Sequence, residues 1–159
     1  MVRFLNCFKM YVFGGKYLSE GILLEDNGHF FKWNRTIRSL RKENIIKEES
    51  AGDRTIYYWG KHQVFNGLDL ELFSFYWNHK LESINKRFNS IEFKVVGDKV
   101  SESYFDLIKN HIDGVFGKGI ENILSDADKS VEWNRDGVKL YLLLFEQFVY
   151  KLSFRISKE

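Results

Sequence analysis

Apolar and polar positions alternate along this chain in short runs, and the runs return in the same order. Leu68, Leu70 and Leu72 alternate with Asp69, Glu71 and Phe73, the period-two signature of a strand with one face turned inwards. Val138, Leu140 and Leu142 repeat that pattern at a constant separation of 70 positions, and Phe145 follows Phe75 at the same spacing. A Trp-bearing strand precedes each block, ending at Trp59 in one and Trp133 in the other. Helical spacing precedes each Trp strand. Ile37, Leu40 and Ile45 line one side of residues 35–44, while Tyr104, Phe105, Ile108, Ile112 and Phe116 line residues 102–116. The layout predicts a tandem helix–strand–strand–strand repeat, a self-similarity that bears on the fold before any single motif does.

Turn chemistry sets the boundaries. Residues 2–13 are apolar on both parities, which suits a buried strand, and Gly14-Gly15 breaks them. Asn27-Gly28 tolerates the positive φ of a tight turn and predicts a hairpin between residues 22–24 and 29–33. Asn34 and Ser101 are placed to cap the two helices, and Gly117 with Gly119 to end the second. The polar stretch 47–53 reads as a loop. Phe65-Asn66-Gly67 and Asp136-Gly137 read as turns, residues 91–95 as a further half-buried strand, and residues 148–156 as the last one.

The expectation is an α+β fold: an antiparallel, aromatic-rich β-sheet with two main helices on one face. One domain of 159 residues would hold N-terminal strands and a hairpin (1–34), a first repeat unit (35–96) and a second (97–159). Over residues 35–157 this helix-plus-meander order resembles small bacterial inhibitor domains and outer-membrane-assembly accessory domains. The resemblance is one of element order and carries no shared motif.

Composition narrows the class. Apolar residues make up 44% and charged residues 29% of the chain, proportions of a globular core rather than a disordered segment. A net charge of +2 is too mild to point to nucleic acid or anionic lipid. Cys7 is the single cysteine, so no internal disulfide forms and a reducing, cytoplasmic setting is expected. Asn6 and Lys9 interrupt the first apolar run before it reaches the length of a signal sequence, and no run suits a membrane helix.

Chemistry-bearing motifs fail on inspection. Gly14-Gly15-Lys16 has Met10 where a phosphate loop needs glycine and Tyr17 where it needs Ser or Thr. Asp126-Ala127-Asp128 opens like a calcium loop, but Val131 stands at the obligatory glycine and Gly137 at the bidentate glutamate. His29, His62, His79 and His111 show no metal-ligand spacing. No catalytic, cofactor-binding or metal residue is assigned, and no cofactor is expected.

Three of the four Trp residues precede Asn: Trp33-Asn34, Trp77-Asn78 and Trp133-Asn134. Such a pair fits a Trp packed on the sheet followed by a turn-forming Asn, or an aromatic contact surface. The leading reading is a non-enzymatic protein-interaction module of inhibitor or immunity type, with another protein as partner and an oligomeric state the sequence leaves open. Trp33, Arg35, Arg38, Trp59 and His62 are its candidate contact residues. The alternative is a small-ligand-binding protein or enzyme with a cleft between sheet and helices, where His62, His79 or His111 would stand beside a carboxylate. A third reading is nucleic-acid binding through residues 32–42, where Lys32, Arg35, Arg38, Arg41 and Lys42 mix with Trp33.

Overall fold

The computed structural model of the chain describes residues 18–40, 42–43, 47–51, 54–77, 87–96, 102–125, 127–147 and 149–159. The strand expected over residues 2–13, the Gly14-Gly15-Lys16 turn, Asn78, His79 and the Ser101 cap lie outside the described residues. In chain order the elements are β1 (Gly21–Leu24), β2 (His29–Lys32), α1 (Ile37–Leu40), β3 (Lys47–Ala51), β4 (Arg54–Val64), β5 (Leu68–Trp77) and β6 (Ser90–Val96). There follow α2 (Glu102–Phe116), β7 (Ile120–Ile123), β8 (Lys129–Arg135), β9 (Val138–Gln147) and β10 (Val149–Lys158). Among the described residues this is an α+β fold with two helices and an aromatic-rich antiparallel sheet of eight strands in the order β3-β4-β5-β6-β10-β9-β8-β7. The β1–β2 hairpin forms a separate two-stranded sheet. No helix among the described residues is long and apolar enough to cross a membrane.

The turns form where backbone chemistry demands them. Asp136 and Gly137 take φ of 54° and 68°, the pair of positive angles of a two-residue hairpin, and join β8 to β9. Phe65, Asn66 and Gly67 all have positive φ between β4 and β5. Their strain is offset from outside: the Glu25 carboxylate, in the β1–β2 turn, accepts the N–H of Asn66 at 2.8 Å and of Gly67 at 2.7 Å.

One face of the large sheet supplies the core. Val138, Leu140, Leu142 and Leu144 of β9 are buried, and the register sets Leu140 opposite Ile156, Leu142 opposite Phe154 and Leu144 opposite Leu152. Phe93 and Ile91 continue this layer from β6, Val131 and Trp133 from β8. Helix α2 lies over β8 and β9 and buries Phe105, Ile108, Ile112, Val115 and Phe116 at i, i+3, i+4 spacing. Each such side chain contributes about 1.5–3 kcal/mol when fully buried.

Several sequence expectations need correction. Among the described residues, helix α1 covers Ile37–Leu40 of the span expected over residues 35–44. Its cap is Thr36, whose Oγ1 accepts the Ser39 N–H at 3.2 Å, because Asn34 sits one turn earlier at φ 63° with its N–H on Phe88 O. The stretch read as a loop over 47–53 contains the edge strand β3, paired with β4 from Lys47 opposite Tyr58 to Ala51 opposite Arg54. Both of its faces are wet, so no alternation marks it. Strand β7 also escaped the pattern, and among the described residues each helix is therefore followed by four strands rather than three.

Nor are the two Trp strands in matching register. Trp133 faces Leu140 directly, whereas the residue opposite Leu70 is His62. Trp59 falls at a bulge between Tyr58 and Gly60, which takes φ 81°. Phe145 is half-buried on the face opposite Leu144, since successive strand side chains point to opposite sides; the side chain of Phe75 lies outside the described residues.

Candidate functional site

Four of the five contact candidates from the sequence are knitted into one cluster around the β1–β2 hairpin. Trp33 is buried, stacks on Phe88 with ring centroids 5.6 Å apart, and donates its Nε1–H to Leu18 O at 2.8 Å. Trp59, also buried, meets Phe31 edge-on at 5.0 Å and Phe88 at 5.2 Å. Arg35 donates to Ser39 Oγ and pairs with Glu43. His29 Nε2 approaches Glu43 Oε2 to 2.6 Å without hydrogen-bond alignment. Burial and the positive charges of Arg35 and His62 hold the His29 pKa below its ordinary value, which favours the neutral ring.

His62 sits between two acceptors, Asp26 Oδ2 at 3.0 Å from Nδ1 and Trp59 O at 2.7 Å from Nε2. Burial works to raise the Asp26 pKa, but His62 and the Gln63 N–H outweigh it and hold the carboxyl below its usual value. Arg38 stands apart, exposed on α1. The rings of Trp33 and Trp59 thus serve the core, and Asn34 occupies the turn after Trp33 as the packing account of the Trp-Asn pairs requires. Asn134 does not enter a turn: it remains in β8 and donates to Glu132 at 2.7 Å.

A cleft of about 560 Å³ lies between α2 and the strands β4, β5 and β6. Phe93, Tyr104 and Leu107 give it an apolar wall, and Asp69, Glu71 and His111 add polar groups. Burial and the nearby Asp69 charge push the Tyr104 phenol above its ordinary pKa. His111 Nε2 donates to Phe65 O at 2.6 Å, so in the neutral ring Nδ1 is left as an acceptor. Of the described histidines His111 alone lines this cleft, and His79 lies outside the described residues. Among the described residues no group of three His, Cys, Asp or Glu is arranged to hold a metal ion.

The third feature is the β7 edge, which the sequence pattern did not reveal. Asp113 fixes the approach to it from the end of α2. Its Oδ1 accepts the Trp133 Nε1–H at 2.9 Å and the Gly119 N–H at 3.0 Å, and its Oδ2 accepts Lys109 at 3.2 Å. Arg135 closes the helix by donating twice to Phe116 O, at 2.6 and 2.9 Å. Gly119 is required by contact: a Cβ there would lie 2.4 Å from Val131 and 2.7 Å from the Trp133 ring. The chain emerges from this anchor as β7, hydrogen-bonded to β8 on one side and to no other strand among the described residues. Ile120, Ile123 and Leu124 are 74%, 63% and 80% exposed, the largest values for big apolar side chains among the described residues. Their only sequence signal is three apolar residues within five positions of a glycine-ended helix, with no periodicity to assign a face.

No protein-family model, no curated protein and no solved structure matches this chain.

Proposed function

We propose that this chain is a non-enzymatic protein-interaction module whose contact surface is the β7 edge. The observation that carries the reading is the exposure of Ile120 and Ile123 on β7, and of Leu124 just beyond it, on a strand with one side unpaired among the described residues. An open edge offers a ladder of N–H and C=O groups to an added strand, and apolar side chains beside it supply the burial that makes pairing favourable. The partner best suited is therefore an extended protein segment with apolar side chains. The opposite edge is built differently: β3 presents exposed Lys47, Glu48 and Glu49, charges that discourage strand addition. Immobilised protein should capture a partner from native lysate, and an Ile120→Lys/Ile123→Lys variant with unchanged circular dichroism should lose it. Equal capture by the two proteins would remove β7 from the contact surface.

The internal repeat belongs to the same proposal. Two helix-plus-meander units, α1 with β3–β6 and α2 with β7–β10, would meet at β6 and β10 and leave one meander edge charged and the other apolar.

The cleft beside α2 favours a second reading, a ligand site. Asp69, Glu71 and His111 Nδ1 offer acceptors beside Phe93 and Tyr104, a lining suited to an amine or other donor with an apolar body. A panel of aromatic amines should raise the melting temperature of the wild type and not of Asp69→Asn/Glu71→Gln; identical responses would count against it. The nucleic-acid reading draws less support, because the Arg35 charge is matched by Glu43.

A further inference from the structure

We infer that β7 pairs with the β7 of a second copy of this chain, antiparallel about a two-fold axis at Asn122, joining the two large sheets into one. The inference rests on the reading that β7 is a contact surface, and it names the occupant. Backbone bookkeeping around β7 selects both the occupant and the register.

In an antiparallel ladder, alternate residues turn their N–H and C=O towards the neighbouring strand. Leu124 N–H donates to Asp128 O at 2.9 Å, and this pair continues the register that sets Asn122 opposite Ser130 and Ile120 opposite Glu132. Ile120, Asn122 and Leu124 therefore point their backbone groups at β8. Glu121 and Ile123 point theirs away from it, along the open edge. The flanking donors are already engaged: Gly119 N–H on Asp113 Oδ1 at 3.0 Å and Ser125 N–H on Asp128 O at 3.1 Å.

A second β7 related by a two-fold axis can satisfy these groups in one register. Glu121 opposite Ile123 of the second copy, and the reverse, gives four backbone hydrogen bonds and uses no donor that is already committed. A shift of two residues one way sets Glu121 against Glu121, a like-charge pair, and Ile123 against Gly119. The other shift sets Glu121 against Ser125. Both ask for an N–H that Asp113 or Asp128 holds.

The favoured register also suits the side chains. Ile120 comes opposite Leu124 of the second copy, so two apolar pairs flank Asn122 facing Asn122. Glu121 brings little repulsion, because Lys109 lies 2.9 Å from its carboxylate. So short an edge buries less than the roughly 1,200 Å² at the lower end of stable interfaces, which makes this a reversible, concentration-dependent dimer.

Sedimentation equilibrium and disulfide trapping test the assignment together. Between roughly 10 µM and 1 mM, a range matching weak association, the apparent mass should climb from 18.9 kDa towards twice that value. Ile120→Lys, which sets a charge against Leu124 of the second copy, should hold it at the monomer. In a Cys7→Ser background, Asn122→Cys should oxidise to a covalent dimer. Facing residues of a non-hydrogen-bonded pair stand about 4.5 Å apart at Cα, within disulfide reach. Asn110→Cys, on the exposed side of α2, should not cross-link. A monomer throughout with no cross-link at 122, or a dimer indifferent to Ile120→Lys, overturns the inference. If a heterologous partner is still captured through β7 by a strictly monomeric chain, self-pairing falls and the contact surface stands. If neither is seen, both fall.

Discussion

Leu140→Ala should lower the free energy of unfolding by about 2–5 kcal/mol, and Leu70→Ala by an amount in the same range. Both leucines are buried, Leu140 to 0% exposure and Leu70 to 1%, so truncation leaves a cavity rather than a solvated gap. Leu140 is fixed from two sides, by Trp133 on β8 and Ile156 on β10. Neither can relax into the void without disturbing its own strand, which puts Leu140→Ala towards the upper end. Leu70 has His62 as its register partner on β4, and its chain neighbours Asp69 and Glu71 line the open cleft. Collapse is easier there, and the lower half of the range is expected. Against a domain stability of about 5–15 kcal/mol, either loss is visible as a shifted urea midpoint with an unchanged slope. A change below about 0.5 kcal/mol at either position, the size of a surface effect, would contradict the burial described.

Asp113→Ala is the second large effect, with an expected cost of about 3 kcal/mol. The substitution strips the acceptor from the indole N–H of buried Trp133, which costs about 1–3 kcal/mol when left unpaired, and from the half-buried Gly119 N–H, which adds to it. Asp113 also gives the stability a pH dependence. Burial works to raise its pKa, but hydrogen bonds from Trp133, Gly119 and Lys109 outweigh it and leave the folded value below the ordinary one. A depressed folded pKa means that the unfolded chain binds the proton more readily in acid. The contribution is therefore complete above the unfolded pKa of about 3.9 and is lost as pH falls from there through the folded value. Asp26 and Glu132, also held low, act in the same direction. Asp113→Asn should thus be less stable at neutral pH and lose less on acidification than the wild type. Parallel acid profiles for the two proteins would show that Asp113 carries no part of the dependence.

The sequence made the backbone-coded features legible and hid those created by distant contacts. Gly28, Gly67 and Gly137 each occupy a positive-φ turn, and the three hairpins closed by these turns were readable from local chemistry. Helix α2 was readable because its buried residues keep one helical face over four turns. Helix α1 was over-read, since the apolar spacing of Ile37 and Leu40 says nothing of the Thr36 cap or the Asn34 turn that confine it. Strands β3 and β7 were invisible for one reason: an edge strand exposed on both faces needs no alternation. The five contact candidates were chosen for residue type, which cannot tell a Trp stacked on Phe88 from a Trp facing solvent. The cleft is lined jointly from α2, β4, β5 and β6, an assembly of distant residues with no local signature.

The position of β10 has a consequence for how the molecule is made. It is the last strand in chain order, yet it stands in the middle of the eight, between β6 and β9. On a ribosome the two meanders emerge before the strand that joins them, so β6 and β9 each wait with an open, largely apolar edge. Closure demands that β10 slot between edges whose strands left the ribosome many residues apart, a high-contact-order step in which loop entropy is lost before ladder bonds are gained. The interval before β10 arrives is when this chain is most exposed to chaperone capture or wrong strand addition. Strand invasion would then compete for the same sites that the native closing strand fills.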